Sequence, residues 1–124
     1  MGANTPEDIH KLFSAAFNSG NLEALMALYE PDAQLVPQPG QVITGHEAIR
    51  QALQQFLALK GAMQITTRYV IRGDAIALLS GQWHLTGNGP DGKRVEMRGN
   101  SAEVARRQST GEWLFAIDHP FGAD

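Results

Sequence analysis

Asn18-Ser-Gly-Asn-Leu-Glu-Ala-Leu-Met-Ala-Leu-Tyr-Glu-Pro-Asp-Ala-Gln-Leu-Val-Pro37, followed a few residues later by Thr44-Gly-His-Glu-Ala-Ile-Arg50, is the stretch that decides the fold. A first helix stops at Ser19-Gly20. A second, short helix capped by Asn21 is apolar on nearly every side (Leu22, Leu25, Met26, Leu28, Tyr29), as a buried helix is, and Pro31 ends it. Ala33–Val36 reads as a short strand, and Pro37-Gln-Pro-Gly40 as a loop or sheet edge, because prolines cannot donate to a central ladder. A third helix opens after Thr44. That order lays a helical lid over a sheet still to come, and it points to a cone with a pocket.

Upstream, Thr5-Pro6-Glu7-Asp8 is a helix start: a hydroxyl at the cap, proline in the first turn and acids near the positive end of the dipole. Ile9, Leu12, Phe13, Ala16 and Phe17 then recur at helical spacing, while His10 is expected on the surface. The third helix runs from about Glu47 to Leu59, with Ile49, Leu53 and Phe56 on its apolar face and Gly61 as its stop. Beyond Gly61 the period changes from helical to alternating. Met63–Arg72, Ala75–Thr86, Arg94–Arg107 and Glu112–His119 are strands, joined by the glycine-rich junctions 73–74, 87–92 and 109–111.

Helices first and hairpin-linked strands after them give an α+β fold, with the N-terminal helices packed in the concave face of a curved antiparallel sheet around an internal pocket. Residues 1–124 are expected to form a single domain. Strand 75–86 is apolar on both faces: Ala77, Leu79, Trp83 and Leu85 alternate with Ile76 and Leu78. The helices can cover one face only, so the other predicts a homodimer through the sheet.

The composition sets bounds on partners and location. The 124 residues carry 43% hydrophobic and 19% charged side chains with a net charge of −3, and Arg98, Arg106 and Arg107 lie among Glu96, Glu103 and Glu112. No basic stripe is available for nucleic acid. The absence of cysteine excludes thiolate catalysis and disulfides, and fits a reducing cytoplasm. No apolar run approaches the ~18 residues of a membrane span and no leader pattern opens the chain, so a cytoplasmic location without membrane contact is expected.

The opening segment, the 87–93 hairpin, Arg98-Gly99, Glu103-Val-Ala-Arg-Arg107 and Trp113 with Ile117-Asp-His-Pro-Phe-Gly122 together resemble the nuclear transport factor 2-like, or SnoaL-like, α+β cone superfamily. The likeness is nearest to small bacterial domains of unassigned function, related also to the association domain of calmodulin-dependent kinase. It covers nearly the whole chain and implies a fold more than an activity, because the same cone hosts isomerases, dehydratases, cyclases, epoxide hydrolases and non-enzymatic assembly domains. Laid over the ketosteroid isomerases of the superfamily, the phenol that donates to the oxyanion falls on Phe13 and the general base on Pro37. Neither can do that work. The neutral acid falls near Glu103, the one position that keeps its chemistry. The resemblance therefore argues against steroid isomerisation.

By the same resemblance Glu103 points into the cone, together with Asp118 on the next strand. Two carboxyls in one apolar cavity push their titrations apart, leaving one as donor and one as base. The alternative is that Glu103 pairs with Arg98 or Arg106 and only holds the strand. Phe13, Tyr29, Gln38, Phe56, His84 and Trp113 are the candidate ligand-binding residues, with the hairpin register deciding whether Trp83 or His84 faces the pocket. Asp118 and His119 are strand neighbours and point to opposite faces. His46-Glu47 does not continue as H-E-x-x-H, the histidines lack ligand spacing, and the 87–92 glycines precede no helix, so neither a metal nor another cofactor is expected. Two readings remain: a small-molecule cone in which Glu103 and Asp118 perform cofactor-free proton chemistry, or a dimerising ligand-binding or assembly module in which they are structural.

Overall fold

The computed structural model describes residues 2–124. A single 3-10 turn, Pro6–Asp8, leads into α1 (Ile9–Asn18), followed by α2 (Leu22–Met26) and, further on, α3 (His46–Leu57). The strands are β1 (Tyr29–Gln38), β2 (Gln41–Thr44), β3 (Ala62–Arg72), β4 (Ile76–Asn88), β5 (Arg94–Asn100), β6 (Ala102–Arg107) and β7 (Trp113–His119). They form one open sheet in the order β2-β1-β7-β6-β4-β3, with β5 continuing the β6 side along β4. The fold is α+β, with the helices over the concave face of a curved, unclosed sheet.

Local chemistry explains the helix ends. Asn21 caps α2, its side chain accepting from the Ala24 N–H at 3.0 Å. Thr5 makes no such bond, and the chain enters α1 through the 3-10 turn instead. The chain leaves α3 at Ala58 rather than Gly61, with Lys60 taking the positive φ of 49°. Gly61 has another job: a Cβ there would sit 1.9 Å from the carbonyl oxygen of Thr86, so only glycine lets the start of β3 cross so close to β4.

Several expectations need correction. The sheet is mixed, since β1 pairs with β7 in parallel while the other pairings are antiparallel. The second helix ends before Tyr29, and Pro31 lies inside β1 where the register shifts between Tyr29 and Gln34, a bulge that needs no proline N–H. Pro39-Gly40 is a hairpin tip rather than a loop, with Gly40 at φ 88° turning the chain into β2. Arg94–Arg107 is two strands, broken at Ser101, which is buried and bonds back to Gly81. That break and further register shifts in β3 and beside β6 bend the sheet around the helices.

Cross-strand register sorts the side chains. Leu35, Leu79, Glu103 and Asp118 share the concave face, and Ile71, Leu78, Val104 and Ile117 line up across four strands on the convex face. The core lies between the helices and the concave face: Phe17, Leu25, Ile49 and Leu53 meet Leu79, Leu85, Ala105 and Phe115. Among the described residues no helix is long and apolar enough to cross a membrane.

Candidate functional site

The concave face and the lid do not meet everywhere. A cavity of about 70 Å³, partly open to solvent, remains between α1, α3 and the sheet. Its walls are apolar: Phe13 and Phe17 from α1, Phe56 from α3, and Trp83, Phe115 and Phe121 from the sheet and the turn after β7. Aromatic contacts hold these rings in place. Phe13 lies edge-on to Phe115 with centroids 6.3 Å apart, and Trp83 edge-on to Phe121 at 5.4 Å. Trp83 is further fixed by its indole N–H, which donates to the Pro120 carbonyl at 2.7 Å.

Five polar side chains break this wall, and all five are buried: His10, Tyr29, Ser101, Glu103 and Asp118. Glu103 and Asp118 face one another as a registered pair on β6 and β7. Each is 5% exposed. Glu103 Oε1 lies 2.9 Å from His10 Nε2, and Asp118 Oδ2 accepts from the Tyr29 hydroxyl at 2.5 Å. The remaining oxygen of each carboxyl, Glu103 Oε2 and Asp118 Oδ1, makes no hydrogen bond to another of the described residues.

The electrostatics follow from burial. Asp118 is pushed up to about 7: desolvation raises it most and the nearby Glu103 charge adds to that, while the Tyr29 hydrogen bond and the His10 charge act against them. Burial and then the Asp118 charge push the Tyr29 phenol well above its ordinary value, so it stays a donor. Near neutral pH Asp118 therefore divides between acid and carboxylate, the condition a general acid needs. Among the described residues no Lys or Arg side chain lines the cavity, and His10, the one lining group able to carry positive charge, is already paired with Glu103.

The expected site residues separate into two groups. Phe13, Tyr29, Phe56, Glu103 and Asp118 converge on the cavity. Gln38, His84 and Trp113 do not. Gln38 lies at the exposed end of β1, in a shallow groove along the outer side of α3. His84 points to the convex side, where its Nε2 is 3.2 Å from Glu96, because the β3–β4 register puts Trp83 inward. Trp113 is 1% exposed in the core at the far end of the sheet, beneath the Arg72 guanidinium.

Glu103 pairs with neither Arg98 nor Arg106, which meet Glu96 and Glu30 instead. Its partner is His10, expected on the surface and in fact 2% exposed. A signal for this existed: His10, Phe13 and Phe17 fall at i, i+3 and i+7, the same stripe that lines the cavity.

Comparison with known proteins agrees with the fold. Residues 9–109 match the SnoaL-like domain. The chain belongs to the SnoaL-like domain family. No curated protein matches it by sequence. Similar solved structures include a conserved protein from Planctomyces limnophilus, with a TM-score of 0.83 at 19% identity over 93% of this chain and 91% of that one. A ketosteroid isomerase-like protein from Erwinia carotovora atroseptica superposes with a TM-score of 0.79 at 19% identity, over 91% and 89% of the two chains. A candidate calcium/calmodulin-dependent protein kinase II association domain from Xanthomonas campestris gives 0.74 at 22% identity, over 95% and 86%. At such identities the likeness is one of fold. In this SnoaL-like domain the polar part of the cavity wall is built on the buried His10–Glu103 and Tyr29–Asp118 pairs.

Proposed function

We propose that residues 1–124 act as one cytoplasmic domain that admits a small, uncharged, mostly apolar molecule to the cone and moves a proton on it without a cofactor. Asp118 is the acid and Glu103 the base. The observation that carries this reading is the pair itself: two buried carboxyls face each other at an apolar cavity, each with one oxygen left unbonded. A carboxyl pushed up to about 7 beside a second carboxyl also has the acidity that proton transfer near neutral pH uses. Proton transfer between a donor and an acceptor on adjacent strands serves an isomerisation, dehydration, cyclisation or hydrolysis.

The cavity is small beside the roughly 150 Å³ needed to enclose a benzene ring. The reacting end of the guest fits at the carboxyls, and the rest leaves through the open side or displaces a phenylalanine. The test is native mass spectrometry of the protein as isolated, followed by a turnover assay on whatever it carries. D118N and E103Q should keep binding and lose turnover by about 100-fold or more. Unchanged turnover removes the carboxyls from the chemistry. Binding without turnover in the native chain leaves the second reading, a ligand-binding module.

That second reading draws on the convex face, where Ile71, Ile76 and Leu78 stay exposed by 63%, 51% and 40% beside Tyr69 and Ile117. A contiguous apolar patch on a sheet face calls for a cover. We assign it to a second copy of this chain, as a homodimer through the sheet.

A further inference from the structure

His10 bridges the interior of the cone and an edge strand of the sheet. Its Nε2 is 2.9 Å from Glu103 Oε1 in the interior, and its Nδ1 is 2.8 Å from Thr67 Oγ1. Thr67 is exposed. It lies on β3, an edge strand, at the register shift between Thr67 and Tyr69. The imidazole therefore spans the wall of the cone, with a carboxyl on one side and the hydroxyl of an exposed threonine on the other.

The slot for this ring is built into the backbone. A Cβ at Gly81 would lie 3.0 Å from His10 Cε1 and 3.4 Å from Nδ1. Gly81 is itself pinned by Ser101, whose Oγ accepts from the Gly81 N–H at 2.8 Å and whose N–H donates to the Gly81 carbonyl at 2.8 Å. The titratable groups facing the ring come from the sheet: Glu103 on β6, and Asp118 on β7 with Tyr29 behind it. Arg68, the neighbour of Thr67, turns away to Ser80 at 3.2 Å.

We infer that Thr67 and His10 form a proton path between bulk water and Glu103. An acid in solution protonates Nδ1 through the Thr67 hydroxyl, which accepts one proton as it passes on its own. The imidazolium then releases its Nε2 proton to Glu103, whose carboxylate becomes a carboxylic acid, and the ring is left neutral with its proton on Nδ1. The reverse sequence carries a proton out. The use of such a path rests on the acid–base reading of the carboxyl pair: a guest in the cavity cuts that pair off from water at the open side, and protons must travel by another route. The path itself belongs to the empty protein.

Nitrogen-15 NMR of the histidine rings in the ligand-free chain tests it through the rate at which the His10 ring N–H protons exchange with water. T67V should slow that exchange by about tenfold or more, and T67S should restore it. Backbone amide exchange along α1 should not change in either variant. T67A gives the same comparison if T67V does not fold. Exchange as fast in T67V as in the native chain overturns the path. So does slowing shared by T67S, or slowing that only follows the α1 amides, since either marks a structural effect. Turnover lost in E103Q or D118N bears on the carboxyl chemistry and leaves this result untouched, so the two readings fail separately.

Discussion

The Tyr29 hydroxyl donates to Asp118 Oδ2 at 2.5 Å, across the parallel pairing of β1 and β7. The bond couples the first strand of the sheet to the last, and it also sets the acidity of Asp118. A hydrogen bond to the charged form favours that form, so Tyr29 pulls Asp118 down against the larger upward push of burial.

Replacing Tyr29 with phenylalanine keeps the ring against Phe115, whose centroid is 5.2 Å away, and removes only the donor. Asp118 should then titrate above about 7, as followed by carboxyl carbon-13 NMR. Stability should fall by about 1–3 kcal/mol, the cost of leaving a buried acceptor unpaired. A downward move of Asp118 would contradict the assignment of the bond.

The raised Asp118 makes a directional prediction for stability against pH. Between its unfolded value of 3.8 and about 7 the folded state binds more protons than the unfolded state. The stability this group contributes is therefore fully present below 3.8 and is lost as pH rises through about 7. The slope is at most about 1.4 kcal/mol per pH unit. D118N removes the titration and keeps an acceptor for Tyr29. Urea unfolding across this range should show a flatter profile for D118N and a variant more stable than the native chain at pH above 7. Equal slopes in the two proteins would refute the assignment.

Much of this was legible in the chain because it depends on local pattern. The face of α1 with Phe13 and Phe17, the alternation along β4 and the glycine junctions each declare themselves within a dozen residues. Partner choice is different. That β1 lies beside β7, some 80 residues on, follows from packing, and alternation in neither strand specifies it. The prolines that suggested a loop at 37–40 sit at a hairpin tip and a bulge, where no ladder N–H is required. The pairing of Glu103 and Asp118 came through the family likeness, whereas His10 was missed because one polar residue near a helix start looks like surface. Its stripe with Phe13 and Phe17 was the better guide.

Gly81 should tolerate no larger residue, and the reason is His10. A methyl group there would meet Ile65 Cγ2 at 2.9 Å and His10 Cε1 at 3.0 Å, and the His10 ring is held on both sides by its bonds to Thr67 and Glu103. G81A should destabilise the fold by about 1–3 kcal/mol through overpacking. It should also displace the ring, so that the His10 nitrogen resonances lose their dependence on Glu103. A G81A protein of native stability with unchanged His10 resonances would mean that the slot is not as tight as its geometry requires.

The convex stripe makes the last prediction. Ile71 and Leu78 are cross-strand partners on β3 and β4, and Leu78 continues to Val104 on β6 and Ile117 on β7. None of these side chains enters the cavity, which lies on the other face. L78K with I71E places unlike charges at the centre of the patch, so the two residues satisfy each other within one chain but lose the apolar surface a second copy would cover. Light scattering should show a dimer for the native chain and a monomer for the double variant. Circular dichroism should remain native, since both positions are already solvent-exposed in the isolated chain. A native chain that is monomeric at high micromolar concentration would rule out the sheet as a self-association surface. A variant that stays dimeric would place the interface elsewhere.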